Sequence, residues 1–532
     1  MKTLYKISLT LCLIVATSTI LYAQTIGDYR SNGTGIWSNA GIWQRFNGTN
    51  WVGASTPPTG SETITIRSGD SVYINAVVNL TGILKNEGKL GGTSNLTVKS
   101  GGLYSHDQNG GSIPVCTWED GSTCQVTGYV SGSKPNNSNQ NFYNFVWDCP
   151  GQTQNVDVAW YYNTINGDIM IKNTGTSRLQ MTSPGAGSPN TIEIKGNIYV
   201  LGGQFSSNGS SSTADIIVNT YGNIYAIGTP GNLTSVNFSI SRGSGPNVLW
   251  NLYGDSLIIQ NATTQNSGGA KCKFVFAKNG EQVLKIENVA YGSTSAAVSF
   301  DVASGSILYL GTTELIGALS TTNTGSFRVL SGATIYSAHP GGINGNIQCT
   351  GETGGGNFFA TDASYGFNGT ENQVTGTMMP DVVQDLIIDN PTTVALSKPT
   401  TINGVLRLKA GVFDNTIPFT LGPSGSISYE GGSLLVSVNE NSTIPASFYV
   451  YQNFPNPFNP VTNIKFDLPY ESYITVKIFD LLGKEISTLF TGKQNAGTHE
   501  LSFDASNLSS GVYLYRIQTD KNIAVKQMIL IK

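Results

Sequence analysis

Charge is scarce in this chain. Asp, Glu, Lys and Arg together make up 12% of its 532 residues, about half the usual share. The net charge is −4 and no basic block interrupts the sequence. A nucleic-acid partner is therefore excluded, since binding one requires clustered cations to displace counterions from phosphates. Histidine is rarer still: His106, His339 and His499 are the only three. There is no Gly-x-Ser-x-Gly elbow, no His-Glu-x-x-His pair and no phosphate-cradling Gly-Lys-Ser/Thr loop. The cysteines match no zinc spacing and no Asp-x-Asp-x-Asp loop offers a calcium site, so no cofactor is expected. No apolar run reaches the roughly 18 residues of a membrane span. Helical spacing of apolar residues is also missing, which excludes a helical fold.

Glycine, at 63 residues, and abundant Ser, Thr and Asn point instead to short strands and tight turns. From Ser61 to Val436 one pattern keeps returning, with two apolar residues flanking a polar one before a Ser-Gly or Ala-Gly corner. Ile64-Thr65-Ile66, Leu96-Thr97-Val98, Ile192-Glu193-Ile194, Phe300-Asp301-Val302, Phe327-Arg328-Val329 and Leu406-Arg407-Leu408 are copies. Alternation along a strand predicts that Ile64, Ile66, Leu96, Val98, Phe327, Val329, Leu406 and Leu408 point inward. Thr65, Thr97, Lys99, Arg328, Arg407 and Lys409 then face water. Offsets of 32 residues from Ile64 to Leu96 and 27 from Phe300 to Phe327 suggest a solenoid. The expected fold is all-β: a parallel β-helix of about 15 coils, a rod of roughly 70 Å at about 4.8 Å per coil. A stack of antiparallel sandwiches is the rival. Residues 24–60, with Trp37, Trp43 and Trp51, are placed to cap the first coil and protect its open edge.

The two ends carry the address. Lys2 and Lys6 precede a short apolar stretch from Ile7 to Leu21, and Ala23 precedes Gln24, which reads as a secretory signal peptide over 1–23. Residues 448–532 hold six strand-length segments, Ile464 to Leu468, Ile474 to Asp480, Glu485 to Phe490, His499 to Phe503, Gly511 to Thr519 and Ala524 to Ile531. A small antiparallel sandwich follows. Pro455 to Pro460 is expected to be a stiff extended lead-in, because proline lacks an amide donor. The run Pro455-Asn456-Pro457-Phe458-Asn459-Pro460, the Leu482-Gly483 turn and Gly511-Val512-Tyr513 resemble the type A C-terminal sorting domain of the type IX secretion system. His339 to Gln348, Phe367 to Thr370, Gln373 to Gly376 and Asp385 to Gly411 resemble a module of secreted Bacteroidetes β-repeat surface proteins. The first resemblance implies the type IX machinery as partner. It also implies passage across the outer membrane, then release or attachment to surface lipopolysaccharide, with clipping in the 437–447 linker.

The chemistry-bearing candidates are few. Trp160 and Tyr162 are candidates for stacking on sugar rings, with coil packing as the plainer alternative. Asp148, Asp157, Asp168, Asp381, Asp385 and Asp389 are the carboxylates from which a β-helix glycosidase or lyase would draw, Asp385 and Asp389 by even spacing on one strand face. Five cysteines remain beyond the leader, and Cys116 and Cys124 bracket Asp120-Gly121 as a candidate bridged hairpin. The leading expectation is a secreted, non-catalytic surface or matrix protein, exposed to extracellular polysaccharide and with ends that can self-associate. The alternative is a polysaccharide-degrading enzyme or a carbohydrate-binding protein.

Overall fold

The computed structural model describes residues 24–435 apart from 186, 188, 210–211, 243–246, 267–271, 292–297, 316–324 and 350–355, together with 445 and 447–532. The signal peptide read over 1–23 and most of the 437–447 linker lie outside the described residues. The fold is all-β, with 52% strand against 2% helix, and divides into two compact units, the first ending at Leu435.

In the first unit the strands pair in parallel with the next passage of the chain. Ile64 lies opposite Leu84, Leu84 opposite Tyr104, Tyr104 opposite Cys124 and Cys124 opposite Phe145, in a sheet of 25 strands. A separate eight-stranded stack, also parallel, links Ile192 to Val218, Trp250, Phe274, Phe300 and Phe327. A further column runs through Arg178–Thr182, Gly203–Asn208 and Val236–Ser241. It joins the large sheet because Ser256–Asn266 bends, pairing first with Ile224–Ile227 and then with Val236–Ser241. The bend is at Asn261, with φ near 50°, and Asn288 repeats it one passage later. Asparagine tolerates this left-handed conformation better than most residues, and the Asn288 amide donates to Asn261 Oδ1 at 2.7 Å.

The eight residues expected to point inward are all fully buried, and the six expected outward are all partly exposed. Phe300–Val302 and Phe327–Val329 pair directly, as their offset predicts. Ile64 does not pair with Leu96. The passage here takes 20 residues, and Leu96–Val98 belongs to a different three-stranded sheet. The intervening strand Ile83–Asn86 escaped the pattern because its last inward position holds Asn86, buried and donating to the Tyr104 hydroxyl at 2.9 Å.

Tight corners bring the passages together. Gly167, Gly196, Gly222 and Gly254 stack so closely that a Cβ on Gly196, Gly222 or Gly254 would lie 2.0–2.3 Å from the backbone below. Each is followed by Asp or Asn. Asn144 Oδ1 accepts from the Asp168 amide at 2.9 Å, Asp168 Oδ1 from the Asn197 amide at 2.7 Å, and Asn197 Oδ1 from the Asn223 amide at 2.8 Å. The core behind them is aromatic. Trp250, Phe274, Phe300, Phe327 and Phe359 follow one another at centroid separations of 5.6–6.5 Å.

At the N-terminal edge Tyr29–Ser31 pairs in parallel with Thr63–Ile66. An antiparallel hairpin, Trp43–Phe46 and Trp51–Gly53, folds onto its other side. Trp37 and Trp43 are buried edge to face, their indole N–H groups donating to the carbonyls of Pro58 and Trp37. The candidate Cys116–Cys124 bridge is not present. Thr117–Trp118 pairs with Leu96–Val98 while Thr123–Val126 pairs with Leu103–His106, so the turn between them is a corner joining two sheets, not a hairpin. Both thiols are free, and burial pushes Cys116 up to about 12 and Cys124 well above its ordinary value.

The second unit is antiparallel throughout its named strands. Tyr449–Val450, Val461–Leu468 and Gly497–Asp504 form one sheet. Glu485–Gln494, Ser472–Asp480, Gly511–Gln518 and Ile523–Leu530 form the other. Ile464, Phe466, Val476, Ile478, Tyr515 and Met528 share the core between them.

Candidate functional site

The C-terminal unit gathers the residues that sequence singled out. In the four-stranded sheet Asp480 lies opposite Tyr513, and Gly511 opposite Leu530. The Leu481–Lys484 turn, Gly511, Tyr513 and the last residues of the chain therefore share one end of that sheet. Gly483 closes the turn with φ near 82°, a left-handed value that suits glycine. The Asp480 carboxylate accepts from the amides of Leu482 and Lys484, both at 2.9 Å, which fixes the turn and leaves Leu482 95% exposed. The Tyr513 hydroxyl donates to the Ser509 carbonyl at 2.8 Å, tying the start of its strand to the preceding loop.

Pro455 to Pro460 is not a free lead-in. Its prolines cannot donate, but Phe458 between them can: its N–H donates to the Ile529 carbonyl at 2.9 Å, and its own carbonyl accepts from Ile531 at 3.0 Å. The Phe458 ring is buried against Phe503, and Asn456 Oδ1 accepts from the Ile529 amide at 2.8 Å. Asn453 and Thr462 both donate to the Pro455 carbonyl, at 3.1 and 2.8 Å. The segment is a clasp that fastens the final strand to the sandwich. Asn459 and Pro460 lead from it into Val461–Leu468, the Pro460 carbonyl accepting from Ala505 at 2.9 Å.

The candidates for sugar stacking separate. Trp160 is wholly buried, edge to face with Phe145, its N–H donating to the Ser138 carbonyl at 3.0 Å, so it has no ring face to offer a ligand. Tyr162 is 63% exposed. Left-handed backbone at Ala159 and Tyr162 breaks the alternation that would have placed the two rings together. An exposed pair, Tyr221 and Tyr253, stacks at 5.1 Å, with Lys195 Nζ 3.7 Å from the Tyr221 centroid. These rings lie against each other along the stack, and their signal in sequence is the repeated Tyr-Gly at 221–222 and 253–254.

The carboxylates have separate hydrogen-bond and ion-pair partners, although Asp385 and Asp389 both act on Tyr336, which burial first and then these carboxylates push up to about 12. Asp168 is engaged in the corner ladder, Asp381 pairs with Lys398 at 2.7 Å, and Asp385 Oδ1 accepts from the Val405 amide at 2.8 Å. Asp385 precedes the strand Leu386–Ala395, whereas Asp389 is exposed at a register shift within it. Burial pushes Asp148 and Asp157 upward, against the neighbouring cations Lys172 and Lys134. His106 sits in the core, Nε2 against the Gly110 carbonyl at 2.6 Å and Nδ1 against the Tyr104 hydroxyl at 3.1 Å, so neither nitrogen faces a substrate. Among the described residues no group of three or more His, Cys, Asp or Glu is placed to hold a metal ion, and no helix is long and apolar enough to cross a membrane.

No curated protein and no solved structure matches the chain. Residues 452–532 match the family described as the secretion system C-terminal sorting domain, which supports a protein exported as type IX secretion cargo through contact of this unit with that machinery.

Proposed function

We propose that the protein is a cell-surface or extracellular-matrix β-solenoid with an adhesive or structural role rather than a catalytic one. A signal peptide over 1–23 carries it across the inner membrane and the sorting unit across the outer membrane. The supporting observation is the combination of a sorting domain at 452–532 with a first unit whose strands pair, passage upon passage, in parallel columns. Such an arrangement supports the reading of a β-helix, in which each coil buries its apolar face against the next. The engagement of Asp168, Asp381 and Asp385 with partners of their own favours a scaffold over a hydrolase, since glycosidic cleavage needs two carboxyl groups free to flank one bond.

Two measurements test this reading. Deleting residues 452–532 is expected to leave the protein inside the outer membrane, whereas the full chain appears on the cell surface or in the medium. Export that persists without those residues would overturn the route. The purified chain is expected to release no reducing sugar from a panel of polysaccharides. Release that disappears in Asp385→Asn or Asp389→Asn would replace the scaffold with an enzyme.

A further inference from the structure

The outer face of the eight-stranded stack carries a groove of about 450 Å³. Its composition follows from register. One outward column runs Ile217, Leu249, Lys273, Ser299, changing from apolar to polar as the passages succeed one another. Ser326 continues it, its hydroxyl 3.0 Å from that of Ser299. At the usual spacing of about 4.8 Å per strand these five residues span roughly 20 Å.

Beside this column Asp301 lies opposite Arg328. Its side chain is only 9% exposed, with Lys273 Nζ at 3.2 Å and Arg328 Nη1 at 3.8 Å, both against Oδ2. Two cations thus share one carboxylate, which leaves a local positive charge in a chain whose net charge is negative. Asp301 Oδ1 is buried and has no hydrogen-bond partner among the described residues. At the far end Asp215 accepts from the amide and side chain of Asn247 at 2.8 and 3.2 Å, and its charge steers an anion away from that end and toward Lys273 and Arg328.

These groups call for a ligand with an anionic group, hydroxyl donors and an apolar C–H face. An acidic peptide fits poorly. Every strand from Ile216–Thr220 to Val298–Val302 is already paired on both sides, so the groove offers no backbone edge to satisfy a peptide's main chain. A uronic-acid chain has no such requirement.

We propose that this groove binds an acidic polysaccharide. A uronate carboxylate lies against Lys273 and Arg328, and the C–H face of a ring rests on Ile217 and Leu249. The site gives the extracellular reading its ligand class, yet its test is independent of export. The full purified chain is run in affinity electrophoresis gels containing polygalacturonate or neutral dextran. Retardation by polygalacturonate alone is expected, with at least a tenfold loss of affinity in Lys273→Ala and Arg328→Ala and partial retention in Arg328→Lys. Lys195→Ala and Lys477→Ala, cations outside the groove, are expected to bind normally. Lys273→Gln, which removes the charge but keeps most of a stem that is 40% exposed, serves if the alanine variants fail to fold. Absence of retardation by polygalacturonate, or retardation that survives substitution of Lys273 and Arg328, overturns the proposal while leaving the secretion route intact.

Discussion

Gly222 has no room for a side chain, since a Cβ there would meet the Gly196 carbonyl oxygen at 2.2 Å. Gly222→Ala is therefore expected to destabilise the first unit by about 1–3 kcal/mol, the usual cost of overpacking, read as a lower urea midpoint. Phe300 stands between Phe274 and Phe327 in the core. Phe300→Ala is expected to cost about 3–5 kcal/mol in the same measurement. His106 brings pH into the balance. Burial holds its imidazole below the ordinary value of 6.5, outweighing the Gly110 carbonyl and Asp107, which pull upward. The folded chain keeps it neutral while the unfolded chain takes up a proton near 6.5, so the unfolded state binds more protons as pH falls and stability is lost below that point. The melting temperature is expected to drop between pH 7.5 and 5.5, and His106→Gln is expected to flatten that drop.

The clasp from Pro455 to Pro460 and the turn at Leu481–Lys484 are elements with separable roles. Phe458 is buried and its main chain bonds Ile529 and Ile531 along the edge of the last strand opposite Gly511–Gln518. Phe458→Ala is expected to loosen that strand by about 3 kcal/mol, seen as faster hydrogen exchange over 523–530. Leu482, by contrast, protrudes into solvent, and Leu482→Lys is expected to shift stability by less than about 0.5 kcal/mol. If export falls in Leu482→Lys while the sandwich melts unchanged, the turn is read by the secretion machinery and is not merely structural. The six strands read from the sequence of this unit all appear within a few residues of their expected bounds, because a polar-apolar alternation over a single two-layer core is local information. The clasp departs from the expected extended lead-in because proline's missing donor does not extend to Phe458, whose amide is free to bond Ile529.

Across the first unit, the edges differ. The N-terminal passage is covered by the Trp43–Phe46 and Trp51–Gly53 hairpin, whereas Phe419, Leu421, Ile427 and Leu434 in the last described strands are partly exposed and Leu406, Leu408 and Phe413 one passage earlier are not. Hydrogen exchange in the full chain is expected to be faster over 419–434 than over 386–413, since edge strands open with little loss of burial. Uniform protection across both segments would show that another surface covers this edge.

Alternation and glycine placement determined from sequence alone that the fold is all-β and that the apolar residues of the repeated pattern turn inward. These are properties of neighbours in the chain, and the pleat enforces them wherever the strand lies. Which passage pairs with which was decided only in three dimensions. Passages vary in length, so Ile64 meets Leu84 at 20 residues while Phe300 meets Phe327 at 27. The groove shares that origin: Ile217, Lys273, Asp301 and Arg328 are scattered through more than a hundred residues, and only the parallel register sets them side by side.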